Sequence, residues 1–464
     1  MTNPHPGREL VIVAVPVALL VLFFGYLAAT SLSGTVVLLS LVLLAAAASL
    51  PRWLLPTISL WLFALLPLGY LVDVPSFVGR FFTPAVVVLL VWLARTAWGP
   101  GRQHLVRSLA WVVPFLVLFV ALSYHGINKT RSINWVVVLT ITVVLTVALL
   151  PAVDGRTSST LLQSWFLLAT GLAVVAVVES LVEENPLAPL YYFGQHWSVY
   201  RVTTTLGHPL TNGTFFAVSA CLAAFAVIRR TTGRALPAVC FVLTALATGL
   251  TGSRSGVYAL ISGLGVGLVF MLLSGRASIA NKLVGIVVAV AALLVLPALP
   301  AIAGRAASAE GTASSLYRDG VIKLAGKLFL QQPWLGYGPG NSVIATARAG
   351  SKLPLENSVL GTLVSAGAIG SAALLCVVVL LLVRVARGGR VDGLAGVSAY
   401  VVAGSAFPLW ETNPAALVVL GLVLVATRAH PPAAAETVTT ARAGGRPVVV
   451  RRTASSSPAG SLHA

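Results

Sequence analysis

Four short segments of the chain set ionisable side chains beside Gly, Asn or Pro at the edges of apolar runs. They are Arg201-Val-Thr-Thr-Thr-Leu-Gly-His208-Pro-Leu-Thr-Asn212, Thr251-Gly-Ser-Arg254-Ser-Gly256, Tyr317-Arg318-Asp319 and Leu355-Glu356-Asn357. Arg201, Arg254 and Arg318 each carry a planar fork that matches two phosphate oxygens at once. An arginine at a helix end has a plainer use as well, snorkelling its charge to lipid headgroups. His208, next to Pro209, is of the type that moves protons, and equally of the type that fills a helix boundary. Glu356 precedes an apolar run, where a carboxylate either caps free backbone N–H groups or serves as a general base.

The elements that position these residues are membrane helices. Of 464 residues, 58% are hydrophobic and 9% charged, and the mean hydropathy is +0.95; a soluble domain carries about 25% charged residues. Apolar runs long enough to cross a bilayer recur along the chain, and they number about 14. They begin near Leu10, Thr35, Trp53, Phe77, Leu109, Ile133 and Leu161, then near Leu210, Ala235, Val257, Leu283, Ser358, Leu394 and Ala415. The expected fold class is therefore all-α, a polytopic transmembrane bundle of about 12 to 14 helices over residues 1–429. The run from Leu10 to Ala28 exceeds a cleavable signal core and reads as a retained first helix.

The net charge of +18 is spread over short loops, which argues against a nucleic-acid surface. Alternate loops hold the positive residues: Arg95, Arg102 and Arg107; Arg229, Arg230 and Arg234; Arg276 and Lys282; Arg384, Arg387 and Arg390. Because Lys and Arg resist translocation, these loops and both termini are expected in the cytoplasm. Arg254 then lies on the outer side, against the bias. Cys221, Cys240 and Cys376 fall within apolar runs without metal-ligand spacing and read as small core residues. Residues 430–464, rich in Ala, Pro, Ser, Thr and Arg, read as a disordered basic cytoplasmic tail.

Two outward connections, 182–209 and 304–357, exceed ordinary turns. Within the second, Ser315 is placed to cap a helix from Leu316 to about Phe329. Tyr317, Val321, Leu324 and Leu328 share one face of it, and Asp319, Lys323 and Lys327 the other. That pattern suits a helix lying in the membrane interface.

In order, these segments resemble the O-antigen ligase and polymerase family of polysaccharide-assembly membrane proteins. The likeness rests on Arg201, Gly207 and Asn212; on Ser253, Arg254 and, one residue displaced, Gly256; on Arg318 opening a loop helix; on Gln332-Pro-Trp-Leu-Gly336-Tyr-Gly338-Pro-Gly340; and on Ser365-Ala-Gly367-Ala-Ile369-Gly370. It covers about Arg201 to Gly370, the first seven helices matching in character only. One departure matters. Ligases of this family commonly show His-Asn where this chain has Glu356-Asn357, a pair that looks more like polymerase-type or divergent members.

The resemblance implies transfer of a glycan from a polyprenyl diphosphate-linked donor to an acceptor hydroxyl, on a glycan or a lipid, at the outer face of the bacterial cytoplasmic membrane. Arg201 and Arg254 would stabilise the departing diphosphate and Glu356 would take the acceptor proton, with Arg318, His208, Asn212 and Asn357 binding substrate. No Asp, Glu and His spacing in the outer loops suits a divalent metal, so the reading is metal-independent and without cofactor. The rival from another class is a transporter or flippase of a lipid-linked glycan or another anionic substrate. Such a protein tends to place charges and broken helices near the bilayer midplane, in repeated halves.

Overall fold

The computed structural model describes residues 42–66, 81–190, 200–229, 235–274, 277–299, 302–304, 308–351, 354–428, 439–443 and 446–450. The chain divides into two compact units, Met1–Arg428 and Ala429–Ala464.

The first unit is helical throughout its regular elements among the described residues. Its helices are α1 (Leu55–Leu65), α2 (Pro84–Ala97), α3 (Arg102–Tyr124), α4 (Lys129–Ala152, with a π turn at Thr140–Val144), α5 (Gly155–Val182), α6 (Pro209–Arg229), α7 (Ala235–Leu250) and α8 (Arg254–Leu273). Then come α9 (Ile279–Val295), α10 (Ala309–Gln331), α11 (Ser342–Arg348), α12 (Ser358–Arg387), α13 (Val391–Ser405), α14 (Leu409–Thr412) and α15 (Leu417–Ala426). Among the described residues, 7 helices of 20 to 30 residues are long and apolar enough to cross a membrane. Twenty residues at about 1.5 Å each span the roughly 30 Å hydrocarbon core. The expected runs starting near Trp53 and from Leu109 onward coincide with helices, whereas the starts at Leu10, Thr35 and Phe77 lie outside the described residues.

Local chemistry fixes the helix starts. The side chains of Asn128, Asp154, Ser253 and Ser278 each accept the backbone N–H three residues on, opening α4, α5, α8 and α9. Pro84 and Pro209 occupy first positions, where the missing N–H costs nothing.

Packing is inverted relative to a water-soluble bundle. The outward faces of α3, α9 and α12 carry exposed apolar side chains such as Val113, Val117, Val287, Leu294, Leu375 and Leu380. Glu179, Arg201, Asn212, Asn341, Asp392 and Glu411 are buried. Bare apolar surface on this scale is stable only against lipid, and these are the features of a multi-pass membrane protein. Cys376 sits on that exposed face, unlike buried Cys221 and Cys240, which corrects the expectation that all three fill the core.

Helix α6 is the hub, buried along nearly its whole length and packed against α7, α8 and α13. Its Thr, Ser, Gly, Cys and Ala residues permit the close approach that membrane helices need where lipid offers no hydrophobic drive. A Cβ on Gly256 would lie 3.0 Å from the Gly213 Cα, so α8 and α6 touch backbone to backbone at their starts.

Helix α12 is broken at Gly367 (φ 62°, ψ −170°). The loop at Pro333–Tyr337 fills the break: the Pro333 and Trp334 carbonyls accept from Ala368 (2.8 Å) and Ile369 (3.3 Å), and the Tyr337 N–H donates to the Val364 carbonyl at 3.1 Å. Gly336 (φ 64°) makes the approach possible, since its Cβ would meet the Gly367 nitrogen at 2.5 Å.

Helix α10 begins at Ala309 rather than after Ser315, so Ser315 is an interior position and not the start of the helix. Its apolar face is as the periodicity predicts. Val321, Ala325 and Leu328 are buried with Ala345, Leu355 and Val364, flanked by Tyr317 and Leu324, while Lys323 and Lys327 are exposed. The side chains of Arg318 and Asp319 lie outside the described part of this helix.

The described residues of the second unit form an antiparallel pair, β1 (Thr439–Ala443) and β2 (Arg446–Val450), with Ala443 opposite Arg446. Composition alone points to no regular structure there. Thr and Val in the two strands are types that favour extended backbone.

Candidate functional site at one end of the bundle

Segments far apart in the sequence meet at one end of the first unit. Arg201 is buried, and its Nε donates to the Thr251 carbonyl at 3.1 Å, in the turn that leads to Arg254. With the Gly213–Gly256 contact, this joins the first two arginine segments into one structure. Arg254 occupies the first position of α8, half-buried, and its guanidinium makes no hydrogen bond or ion pair with a described residue.

The segment bearing Arg201 is held by Glu179 of α5, a residue whose role the sequence did not signal. Buried Glu179 accepts from the Thr203 N–H (2.7 Å), the Thr204 N–H (2.8 Å) and the Tyr200 hydroxyl (2.9 Å). Burial, and then the Glu179 charge, push the Tyr200 phenol far up, so it remains a donor. Thr204 has φ 38°, a rare conformation for a β-branched residue. It is over-determined: Asn185 donates to its carbonyl at 3.1 Å and its hydroxyl donates to Asn212 Oδ1. Backbone strain fixed by so many bonds is characteristic of functional sites.

Asn212 and His208 are occupied within the protein. Asn212 also donates to the carbonyls of Thr203 and His208, which makes it a brace for the turn rather than an open substrate ligand. His208 Nδ1 accepts the Leu210 N–H at 3.1 Å, leaving the proton of the neutral ring on Nε2. Its ring stacks on Phe407, with centroids 5.3 Å apart.

Phe407 is the bridge to the fourth segment, because its carbonyl accepts from Ser358 Oγ at 2.7 Å at the start of α12. Asn357 caps that helix, accepting from Val359 (2.8 Å) and Leu360 (3.0 Å). The capping use considered for Glu356 thus belongs to its neighbour, and Asn357, expected to bind substrate, commits its oxygen to the helix. Glu356 is half-buried beside Tyr317, whose hydroxyl donates to the Pro354 carbonyl at 2.8 Å. Burial raises the Tyr317 phenol; a bond with Ser351 opposes this and the Glu356 charge adds to it.

A second buried carboxylate, also missed in the sequence, braces the glycine-rich run. Glu411 accepts from the Ser342 N–H (3.0 Å) and hydroxyl and from Ser365 Oγ (2.5 Å). Arg131 donates to the Gly340 carbonyl (2.7 Å) and to the Glu411 carbonyl (3.1 Å). Glu411 sits in Trp410-Glu411-Thr412 before Pro414, and a lone charge there was the available signal. Among the described residues, no group of three or more His, Cys, Asp and Glu side chains could hold a metal ion.

Arg201, His208, Asn212, Arg254, Glu356 and Asn357 therefore converge on one end of the bundle, with the Arg201 and Arg254 segments tied to each other through Thr251. The Arg318 side chain lies outside the described residues. No protein-family model matches the chain, and no curated protein does.

Proposed function

We propose that the protein transfers a glycan from a polyprenyl diphosphate-linked donor to an acceptor hydroxyl, as a metal-independent membrane glycosyltransferase of the O-antigen ligase or polymerase type, at the outer face of the bacterial cytoplasmic membrane. The observation that carries this reading is the joining of the Arg201 and Arg254 segments, linked through His208, Phe407 and Ser358 to Glu356. In the reaction the acceptor oxygen forms a bond to the sugar's anomeric carbon as the bond from that carbon to the diphosphate oxygen breaks. The polyprenyl diphosphate leaves with the electron pair, and the acceptor proton passes to the Glu356 carboxylate. The Arg254 guanidinium, available to a ligand and set in a partly dry site, offsets the charge growing on the departing diphosphate. Arg201, tied to the Thr251 carbonyl, holds the turn that aims Arg254 and adds to the positive field.

The test is glycan transfer by the purified protein, given a polyprenyl diphosphate-linked oligosaccharide and an acceptor. A labelled glycan on the acceptor, lost in Arg254→Ala, supports the reading. Donor that remains intact under all conditions sinks it.

A transporter or flippase is the second reading because one observation favours it: the break in α12 at Gly367. Transporters use the freed carbonyls of broken helices to hold their cargo. Here the Val364 carbonyl and the Ala368 and Ile369 N–H groups are taken by the 333–337 loop, which weighs against that use. Movement of labelled donor across proteoliposomes without its consumption would decide for transport.

A further inference from the structure

At the end of α12 remote from Glu356, a groove of about 370 Å³ opens between α3, α4 and α12. Its walls are Trp111, Val144, Val147, Val377, Leu380 and Leu381, and Arg384 and Arg387 stand at its rim. The run from Val377 to Arg384 covers about 10 Å at helical rise, so the apolar wall and the charges are stacked along the α12 axis. Val144 closes the π turn of α4, a local widening common at functional positions. Arg107 lies one turn before Trp111, on the same stripe of α3, and it too is exposed.

Among the described residues, the charges at this rim have no counter-ion on the protein. The ion pairs of this end are Arg52–Asp154 at 3.1 Å and Arg390–Asp392 at 2.7 Å. Neither Arg384 nor Arg387 makes a side-chain hydrogen bond or ion pair with a described residue. Arg428, whose side chain donates to the Val153 carbonyl, feels the crowding: burial and then the Arg384 charge lower its pKa, with Asp154 opposing. The last turn of a helix already favours cations, but that does not account for the apolar groove beneath them.

We infer that this groove binds an anionic diacyl phospholipid, with one acyl chain against Trp111, Val147 and Leu380 and the headgroup phosphate between Arg384 and Arg387. Charge complementarity and the apolar depth together select this occupant. A zwitterionic lipid would bring its own headgroup cation beside the arginines along with its phosphate, and a soluble anion would leave the groove unfilled. The site is independent of glycan transfer, since it stands at the opposite end of α12 from Glu356.

Native mass spectrometry of the full-length protein, purified in detergent and given phosphatidylglycerol or phosphatidylcholine at equal concentration, tests it. The parent should retain one phosphatidylglycerol in preference to phosphatidylcholine. Arg384→Gln/Arg387→Gln should lower that retention by about tenfold or more, with an unchanged elution profile, since both side chains are exposed. Val377→Trp, which fills the groove and keeps the charge, should lower it as well, whereas Arg348→Gln at the other end should not. Equal retention of the two lipids, or full retention by the charge variant, would overturn the proposal. So would displacement of phosphatidylglycerol by an equal amount of polyprenyl phosphate, which would assign the groove to the substrate lipid.

Discussion

Arg254 and Glu356 are the residues on which the proposed chemistry turns, and each has a substitution that separates chemistry from structure. Arg254 has no protein partner among the described residues, so Arg254→Ala should fold normally and transfer little glycan. Arg254→Lys keeps the charge and loses the bidentate fork, and it should restore only a small part of the activity. Near-normal transfer by either variant would return Arg254 to lipid snorkelling. For Glu356 the observed cap sharpens the comparison. Because Asn357 does the capping, Glu356→Gln should leave that cap in place while lowering transfer by about 10² to 10⁴. Asn357→Ala should do the reverse, costing about 1 kcal/mol of stability. Activity of Glu356→Gln within a few-fold of the parent would remove this carboxylate from the mechanism. Glu179→Gln sets an NH₂ among groups that all donate, so it should destabilise by about 1–3 kcal/mol and take activity with it.

The elements that hold these residues are tuned by glycine and by caps. At Gly367 an added Cβ would strike the Trp334 carbonyl, and the backbone has φ 62°. Gly367→Ala should therefore lower the melting temperature and detach the 333–337 loop, readable as faster amide exchange at Tyr337. Gly326, inside α10 with no heavy atom within 4 Å of its would-be Cβ, is the matched control; Gly326→Ala should stabilise by about 0.5–1 kcal/mol. At the start of α5, burial raises the Asp154 carboxyl, but bonds from Thr157 and Arg52 outweigh it and the net pKa falls below 3.8. A depressed folded value means that this cap stabilises α5 above the unfolded value and is lost as pH falls through the folded one. Asp154→Asn should thus be less stable than the parent near neutrality and should converge with it as acid protonates the folded carboxyl, as thermal melts against pH would show.

Across the whole molecule the proposal requires that the end bearing Arg254 and Glu356 face away from the cytoplasm. Lys327 on α10 and Arg387 at the end of α12 are exposed and mark opposite ends. Lys327→Cys should react with an impermeant maleimide in intact cells, and Arg387→Cys only after lysis. The reverse pattern would overturn the orientation and the site built on it. That the chain is a helical membrane bundle follows from its residues alone, because hydrocarbon leaves the backbone few other ways to satisfy its hydrogen bonds, and runs of Val, Leu and Ala mark each span. The apolar face of α10 follows as well, because a period of 3.6 is visible in Tyr317, Val321, Leu324 and Leu328. That Asn357 rather than Glu356 caps α12 does not follow, since either side chain suits a helix start and backbone geometry selects between them. Nor could the sequence disclose Glu179 and Glu411, whose donors come from residues 24 and 69 positions away in the cases of Thr203 and Ser342. Folding brings Gly213 onto Gly256 and Gly336 onto Gly367. Contacts between distant segments depend on which helices cross, and a hydrophobic period fixes which face is buried but not what it is buried against.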